Sequence, residues 1–359
     1  MDENLKKEDM QAEILKLIAP GTELRLGLES ILKAKTGALI VVSDAKEVLD
    51  LVDGGFAINQ EYTASRLYEL AKMDGAIVLS EDLKTILFAN AQLIPSSNIP
   101  TNETGTRHRT AERTAKQTGK LVISISQRRN IITIFKADFR YVLEDTSKVI
   151  TKANQALQTL EKYKKVFDDK LNTLNEFEFN DIVTLDNVIT CIQRAEMVQK
   201  ISEEVKRNIY ELGEDGRLIK MQLEELMGDF EQEELLMIKD YMIGKKKDEA
   251  IVLAQIRALN IEGLIEANKI ANLLGYANFE TYEEVAVYTK GYRILSKIPK
   301  LPSNIVSNMI KAFKSFQHIL AADIAGLDEV EGIGEIRART IKQALKRMQE
   351  QFVFDNVML

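Results

Sequence analysis

The chain has 359 residues, 45% of them hydrophobic and 29% charged, and a formal net charge of −7 at pH 7. This length predicts two or three domains. The ordinary hydrophobic content and the acidic balance exclude a disordered chain and a general affinity for nucleic acid. The one cysteine, Cys191, has no partner for an internal disulfide bond, and no apolar run approaches membrane-spanning length. We therefore expect a cytoplasmic protein with no membrane partner.

The first third of the chain has the composition of an α/β domain. Apolar runs rich in β-branched residues occur at 37–43, 75–80, 85–94, 121–126 and 131–135. Two segments of helical composition, 62–73 and 107–117, lie between them. Because the last two runs are only a few residues apart, we predict a mixed sheet. The continuous apolar character of the first two runs indicates strands that are covered on both faces.

The middle of the chain predicts an all-α region. It contains no proline, and its first half contains no glycine, a composition suited to long helices. Apolar residues follow one another in steps of four and three at Val149, Ala153, Ala156, Leu160, Tyr163 and Phe167. A second helix is predicted from Asp186 to Leu212, ending at Gly213. We interpret this region as a helical spacer or bundle.

A glycine hairpin near the end of the chain resembles a helix-hairpin-helix motif. Gly332 and Gly334 flank Ile333 and lead directly into a run of helix-forming residues that includes Arg337 and Arg339. The pattern fails as a dinucleotide-binding fingerprint, because Arg337 replaces the third glycine and no strand precedes it. In a helix-hairpin-helix motif, backbone N–H groups and a helix N-terminus face a DNA phosphate. The alternative is a glycine turn between two packed helices.

The charge of this end of the chain favours a polyanionic partner. From Lys290 to Glu350 there are eleven Lys or Arg residues against six Asp or Glu, although the whole chain is acidic. Such a basic segment is typical of a surface that binds nucleic acid. A weaker copy of the motif, without the hairpin glycines, occupies residues 297–313.

The segment GTRHRTAER, residues 105–113, concentrates positive charge where a helix is predicted to begin. With Thr106 as the N-cap, Arg107 and Arg109 would lie in the first turn, where the helix dipole disfavours cations. A bound anion is the physical explanation that we expect.

Asp74, at the entrance of the second predicted strand, supplies a carboxylate in the same domain. The sequence contains no P-loop, and its two histidines and one cysteine do not suggest a zinc site or a nucleophilic triad. A carboxylate with an arginine cluster is the minimum set for metal-assisted phosphoryl or nucleotidyl transfer. Alternatively, Asp74 and Gly75 form only a turn before a buried strand, and His108 is a surface or helix-cap histidine.

These residues resemble a known family. DGA at 74–76, RHRTA at 107–111 and GALIV at 37–41 look like the diadenylate cyclase domain. The order of parts over essentially the whole chain resembles the bacterial DNA integrity scanning family. The resemblance implies three domains: an α/β diadenylate cyclase domain with a mixed sheet (1–146), an all-α helical spacer (147–287) and an all-α tandem helix-hairpin-helix DNA-binding domain (288–359).

The resemblance also implies a reaction. Two ATP molecules would condense into cyclic di-AMP with release of two pyrophosphates, in a homo-octamer whose cyclase domains pair face to face. Asp74 would be the catalytic residue and would hold the metal, Mg²⁺ or Mn²⁺. ATP would be bound by Gly75, Leu93, Thr106, Arg107, His108, Arg109 and Thr110.

The same resemblance implies a regulator. Branched, Holliday-junction-like DNA would bind through Gly332, Ile333, Gly334, Arg337 and Arg339 and suppress synthesis, and recombination and repair proteins would be further partners. Two other hypotheses stay open at the level of sequence: a non-enzymatic, nucleotide-sensing DNA-binding scaffold, and a nucleotidyltransferase that uses another acceptor.

Overall fold

The structure is a computed structural model that describes Met10, residues 13–244, residues 248–276, Phe279 and residues 281–355. The chain divides into two compact units. The first contains Met1–Gln155 and Val205–Lys220, and the second contains Ala156–Glu204 and Met221–Leu359. The division into three domains stays a prediction.

The first unit is built on one eight-stranded sheet. Its strands are β1 (Ala38–Val42), β2 (Val52–Asp53), β3 (Phe56–Glu61), β4 (Ala76–Leu79), β5 (Thr85–Leu93), β6 (Leu121–Ser126), β7 (Ile131–Lys136) and β8 (Phe139–Leu143). Its helices are α1 (Glu23–Lys33), α2 (Lys46–Leu49), α3 (Ala64–Leu70) and α4 (Thr106–Thr118).

The strand order confirms the predicted mixed sheet. Along the sheet the order is β2-β5-β4-β1-β6-β7-β8, and β3 also pairs with β5. β1 and β4 are parallel, with Leu39 opposite Ala76, and the other pairs are antiparallel. Every residue of β1 and β4 is buried, as their continuous apolar character predicted. The start of β1 and the start of β4 therefore lie at the same edge of the sheet.

Each face of the sheet has its own hydrophobic core, because successive strand residues point to opposite faces. Ile40 of β1 packs in a core with Leu28 of α1 and Leu67 of α3. Its neighbour Leu39 packs in the other core with Ala111 of α4. Helix α4 is thus fixed against one face of the sheet, and its first turn is held in place there.

Beyond β8, the regular secondary structure of the described chain is helical, apart from one isolated bridge between Thr184 and Ala286. The helices are α5 (Thr146–Asn180), α6 (Leu185–Leu212), α7 (Arg217–Met227), α8 (Phe230–Tyr241), α9 (Glu249–Arg257), α10 (Ile261–Ile265), α11 (Ala267–Leu274), α12 (Tyr292–Ser296), α13 (Ser303–Phe313), α14 (Phe316–Ala321), α15 (Ile324–Asp328) and α16 (Glu335–Asp355). The predicted long helices are therefore confirmed. Val149, Leu160 and Phe167 of the heptad-like series are buried in α5, and α6 ends before Gly213.

A buried polar network in the second unit joins α12 to α5 and α8. The Arg293 side chain is fully buried, pairs with Glu178 and donates to Asn175 Oδ1 at 2.6 Å. The Asp240 carboxylate accepts the backbone N–H groups of Tyr292 at 2.6 Å and Arg293 at 2.9 Å, and so caps α12. Burial raises the pKa of Asp240 to about 7, and the negative charge of the nearby Glu178 contributes to this rise. This network therefore fixes the start of α12.

Candidate active site

The N-terminus of α4 is open to an anion. Gly105, rather than the predicted Thr106, is its N-cap residue, so that prediction is wrong by one position. Among the described residues no side chain caps this end, and the first turn has no acidic residue. The first bond of the helix runs from the Arg109 N–H to the Gly105 carbonyl at 2.9 Å. The N–H groups of Thr106, Arg107 and His108 precede that bond, and with the helix dipole they favour negative charge.

Asp74 and Gly75 are held at the entrance of β4 by an irregularity in β5. The β4–β5 register shifts between Ala76 and Val78, and Asn90 of β5 has a positive φ of 53°. The Asn90 Nδ2 donates to the Asp74 carbonyl at 2.7 Å. Gly75 has a φ of +90°, and a Cβ there would lie 2.8 Å from the Ala91 carbonyl oxygen. The protein backbone therefore requires glycine at this position, independently of any contact between Gly75 and a nucleotide.

The structure brings Asp74 and Arg107 together. Arg107 Nη2 lies 3.4 Å from Asp74 Oδ1, and the two side chains are 37% and 99% exposed. Gly37, just before β1, makes room for this arginine, because a Cβ there would overlap Arg107 Nη1. A carboxylate and a guanidinium therefore share the solvent-facing edge of the sheet beside the α4 N-terminus.

His108 occupies a different environment from the exposed arginines. Its side chain is buried, its Nδ1 lies 3.2 Å from Ser124 Oγ of β6, and its ring packs edge-on against Phe135. Burial lowers the pKa of His108, Glu103 opposes this, and Arg129, Arg140 and Arg107 lower the pKa further. The ring is therefore neutral near pH 7.

An ion-pair cluster that the sequence did not predict supports the loop before α4. The Glu103 carboxylate accepts a hydrogen bond from Arg140 Nε at 2.7 Å and lies 3.8 Å from Arg129 Nη1. Arg129 Nη2 also donates to Thr104 Oγ1 at 2.9 Å. Arg129 lies in the 127–130 turn and Arg140 lies in β8, so only tertiary contact brings these arginines to the loop.

The other predicted ATP-binding residues lie on α4 and at the end of β5. Thr106 and Arg109 are exposed, and Thr110 is half-buried. Leu93 is 7% exposed, and it lies in the same core as Ala111 of α4. Because Ala91 pairs with Ala76, Leu93 lies at the edge of the sheet where Asp74 lies. The predicted ATP-binding residues thus gather around the first turns of α4 and this sheet edge.

The predicted DNA-binding hairpin connects α15 to α16. Gly332 has a φ of +86°, and a Cβ built on Gly334 would meet no heavy atom of the described residues within 4 Å. Ile333 is buried, and its N–H donates to the Val330 carbonyl at 2.9 Å, so this residue supports the hairpin from inside. Arg337 Nη1 donates to the Gly332 carbonyl. The exposed guanidinium of Arg339 pairs with Glu335 at 2.5 Å.

Comparison with known proteins identifies the family. A family model described as DisA bacterial checkpoint controller nucleotide-binding matches residues 25–139, and a second, described as DisA bacterial checkpoint controller linker region, matches residues 143–282. The chain is 52% identical to the DNA integrity scanning protein DisA of Acetivibrio thermocellus over 351 residues, which cover 98% of each chain. The chain belongs to the DisA family.

Other DisA relatives are similar over nearly their whole length. The protein of that name from Clostridioides difficile is 54% identical over 343 residues, covering 95% of this chain and 96% of the relative. The one from Clostridium kluyveri is 53% identical and covers 98% and 99%. As a member of this family the chain is a diadenylate cyclase, and the family implies divalent-metal-dependent nucleotidyl transfer from ATP. In the described ranges, no helix is long and apolar enough to cross a bilayer.

Proposed function

We propose that each chain binds one ATP at the edge formed by Asp74 and the α4 N-terminus, and that two chains join their nucleotides into cyclic di-AMP. The observation that carries this proposal is the uncapped first turn of α4, with Arg107 beside the exposed Asp74 carboxylate. In the reaction each ribose 3′-hydroxyl attacks the α-phosphorus of the other nucleotide. Two P–O bonds form, two pyrophosphates leave, and the two hydroxyl protons are released.

The donor set fits a divalent cation that arrives with the nucleotide. Mg²⁺ in nucleotide sites is held by one or two carboxylates together with substrate phosphates. Asp74 offers one fully exposed carboxylate, and no group of three His, Cys, Asp or Glu side chains gathers anywhere in the described residues. We propose that Asp74 holds Mg²⁺ or Mn²⁺, which would neutralise phosphate charge when bound.

The remaining roles follow from position. The backbone N–H groups at the start of α4, with Arg107 and Arg109, would bind the triphosphate. Buried, neutral His108 would donate one hydrogen bond to a phosphate oxygen, and Leu93 would line the adenine pocket. Asn90 and Gly75 would keep the Asp74 turn in place while the nucleotide binds.

The described part of one chain holds one such site, so the symmetric product requires a second copy facing the first. Holding two oriented nucleotides together would supply a large part of the rate acceleration. We propose the face-to-face pairing within a homo-octamer that the resemblance implies. We also propose that the protein is cytoplasmic.

We further propose that the C-terminal segment is a tandem helix-hairpin-helix module for branched DNA. Two hairpins with matching backbone geometry support this. In the first, between α12 and α13, Lys300 has a φ of +60° and the Leu301 N–H donates to the Ile298 carbonyl at 3.3 Å. In the second, Gly332 has the positive φ and Ile333 makes the corresponding bond to Val330.

DNA of Holliday-junction type bound at these hairpins would suppress cyclic di-AMP synthesis, and recombination and repair proteins would act alongside. The test is to incubate the purified chain with ATP and either Mg²⁺ or Mn²⁺, with and without a four-way junction, and to identify the products by mass spectrometry. Cyclic di-AMP that decreases when the junction is added supports the proposal. ATP binding without product would favour a nucleotide-sensing scaffold, and a linear adenylated product would favour transfer to another acceptor.

A further inference from the structure

Ser124 contacts one of the two ring nitrogens of the buried His108 side chain. Both side chains are buried, and Ser124 Oγ lies 3.2 Å from His108 Nδ1. The other ring nitrogen, Nε2, is buried and has no hydrogen-bond partner among the residues that the structure describes. Leaving a buried polar atom without a partner is destabilising, so such an atom beside a binding site indicates a missing ligand.

Two tautomers are compatible with the Ser124 contact. If Nδ1 carries the proton, it donates to Ser124 Oγ, which leaves both the serine O–H and the bare Nε2 without partners within the described part of the chain. If Nε2 carries the proton, the serine O–H donates to Nδ1, and only the Nε2–H is left over. The second arrangement leaves fewer buried groups unsatisfied and is therefore favoured.

We propose that Ser124 is a positioning residue, whose hydroxyl holds His108 in the Nε2–H tautomer so that this N–H donates to an oxygen of the bound nucleotide. The proposal rests on the proposed ATP site and adds a residue to it. His108 is the third residue of α4, in the turn that also supplies the exposed backbone N–H groups. A neutral donor in that place binds phosphate oxygen without a proton having to be taken up first.

The groups that face His108 keep the ring neutral. Glu103 favours the charged ring, whereas burial and the guanidinium groups of Arg107, Arg129 and Arg140 oppose it. With Ser124 changed to alanine, these charges stay and only the partner of Nδ1 is lost. The variant therefore distinguishes a change in the tautomer of His108 from a change in the charge of its ring.

Thr133 provides a matched control. It lies directly opposite Ser124 in the β6–β7 register, it is equally buried, and its hydroxyl has no hydrogen-bond partner within the described ranges. Thr133→Val removes a buried hydroxyl and keeps the volume of the side chain. Ser124→Ala and Thr133→Val therefore place similar demands on the core, but only the first removes a contact with His108.

The test is solid-state ¹⁵N NMR of histidine-labelled full-length protein, in which His108 and the exposed His318 are the only two histidines. We expect His108 to be the neutral Nε2–H tautomer in the wild type and in Thr133→Val. ATP added with EDTA should shift the Nε2 resonance. In Ser124→Ala the Nδ1–H tautomer should become populated, and the apparent KM for ATP should rise about three- to tenfold, since one charge-assisted hydrogen bond is weakened.

The proposal is overturned if wild-type His108 is the Nδ1–H tautomer, or if Thr133→Val changes the tautomer and the KM as Ser124→Ala does. The wild-type spectra decide the tautomer even if Ser124→Ala does not fold. If the wild type does not bind ATP, the proposed function fails. An Nε2 resonance that stays unshifted although ATP binds overturns the nucleotide part of this inference, and the spectra without ATP decide the tautomer separately.

Discussion

At the scale of single residues, the Asp74–Arg107 pair is suited to being opened by a ligand. Exposed ion pairs of this kind contribute about 0–1 kcal/mol to stability, so separating the two groups costs little. A cation bound by Asp74 and a phosphate bound by Arg107 would each replace a weak partner with a stronger one. The arrangement thus keeps both groups at the site edge before the substrate arrives.

Asp74→Asn keeps the size of the side chain and removes its charge. We expect cyclic di-AMP synthesis to fall by about 100-fold or more, because metal-assisted charge stabilisation supplies several kcal/mol. Asp44→Asn, an exposed change at the opposite end of β1, is the control and should leave the rate unchanged. Product is measured by mass spectrometry and assembly by light scattering. Wild-type activity in Asp74→Asn would exclude the metal-holding role.

Arg107→Ala and Arg109→Ala should each weaken ATP binding by about tenfold or more, because a hydrogen bond to a charged group contributes about 1.5–3 kcal/mol. Gly37→Ala should act in the same direction, since its Cβ would displace the Arg107 guanidinium. Arg66→Ala, an exposed change on α3, is the control. Calorimetric titration with ATP measures the affinities, and unchanged binding in both arginine variants would reduce this cluster to a basic surface.

At the scale of secondary-structure elements, buried strands and long helices were predictable from the sequence. The sequences of β1 and β4 are unbroken apolar runs, because both faces of these strands are covered. The sequences of α5 and α6 predict helices, because glycine and proline are absent. β3 was not predicted, because its residues FAINQE are mostly exposed and carry no apolar alternation. The site residues that the sequence predicted came from motifs. Ser124, Glu103 and Asn90 instead make tertiary contacts that no local pattern encodes.

A buried acidic pair between helices gives a prediction at the same scale. Glu196 of α6 and Glu234 of α8 are both fully buried, and Arg257 of α9 pairs with Glu234 at 2.8 Å. Burial, and then the Glu234 carboxylate, raise the pKa of Glu196 well above its usual range. The folded chain therefore holds a proton that the unfolded chain has lost, so this group's contribution to stability is greatest at low pH and falls as pH rises.

Glu196→Gln should remove this pH dependence. Relative to the wild type, the variant should gain stability between about pH 5 and pH 8, by up to about 1.4 kcal/mol per pH unit. Thermal unfolding at several pH values gives the comparison. Glu204→Gln, an exposed change on the same helix, should track the wild type. A constant difference between Glu196→Gln and the wild type over this range would contradict the assignment of a raised pKa.

At the scale of the whole molecule, the two proposed activities lie in different compact units. Asp74 and Arg107 belong to the first unit, and both hairpins belong to the second. A change confined to a hairpin can therefore test DNA binding without altering the site where ATP is expected to bind. The helix α5 is continuous from Thr146 to Asn180 and contains residues of both units, as do α6 and α7. These three helices therefore connect the two units along the chain and are candidates for any coupling between DNA and synthesis.

Gly334→Leu is the sharpest test of that coupling. Open space surrounds a Cβ at this position, so the variant should fold, but its side chain would hold the hairpin away from a phosphate. We expect affinity for a four-way junction to fall about tenfold, basal cyclic di-AMP synthesis to stay unchanged, and inhibition to require correspondingly more DNA. Gln351→Leu, which adds the same side chain to an exposed position near the far end of α16, is the control. Time courses of product with and without the junction decide the matter. Equal inhibition of Gly334→Leu and the wild type would show that DNA acts elsewhere, and loss of basal activity would show that the hairpin is needed for the fold or the assembly.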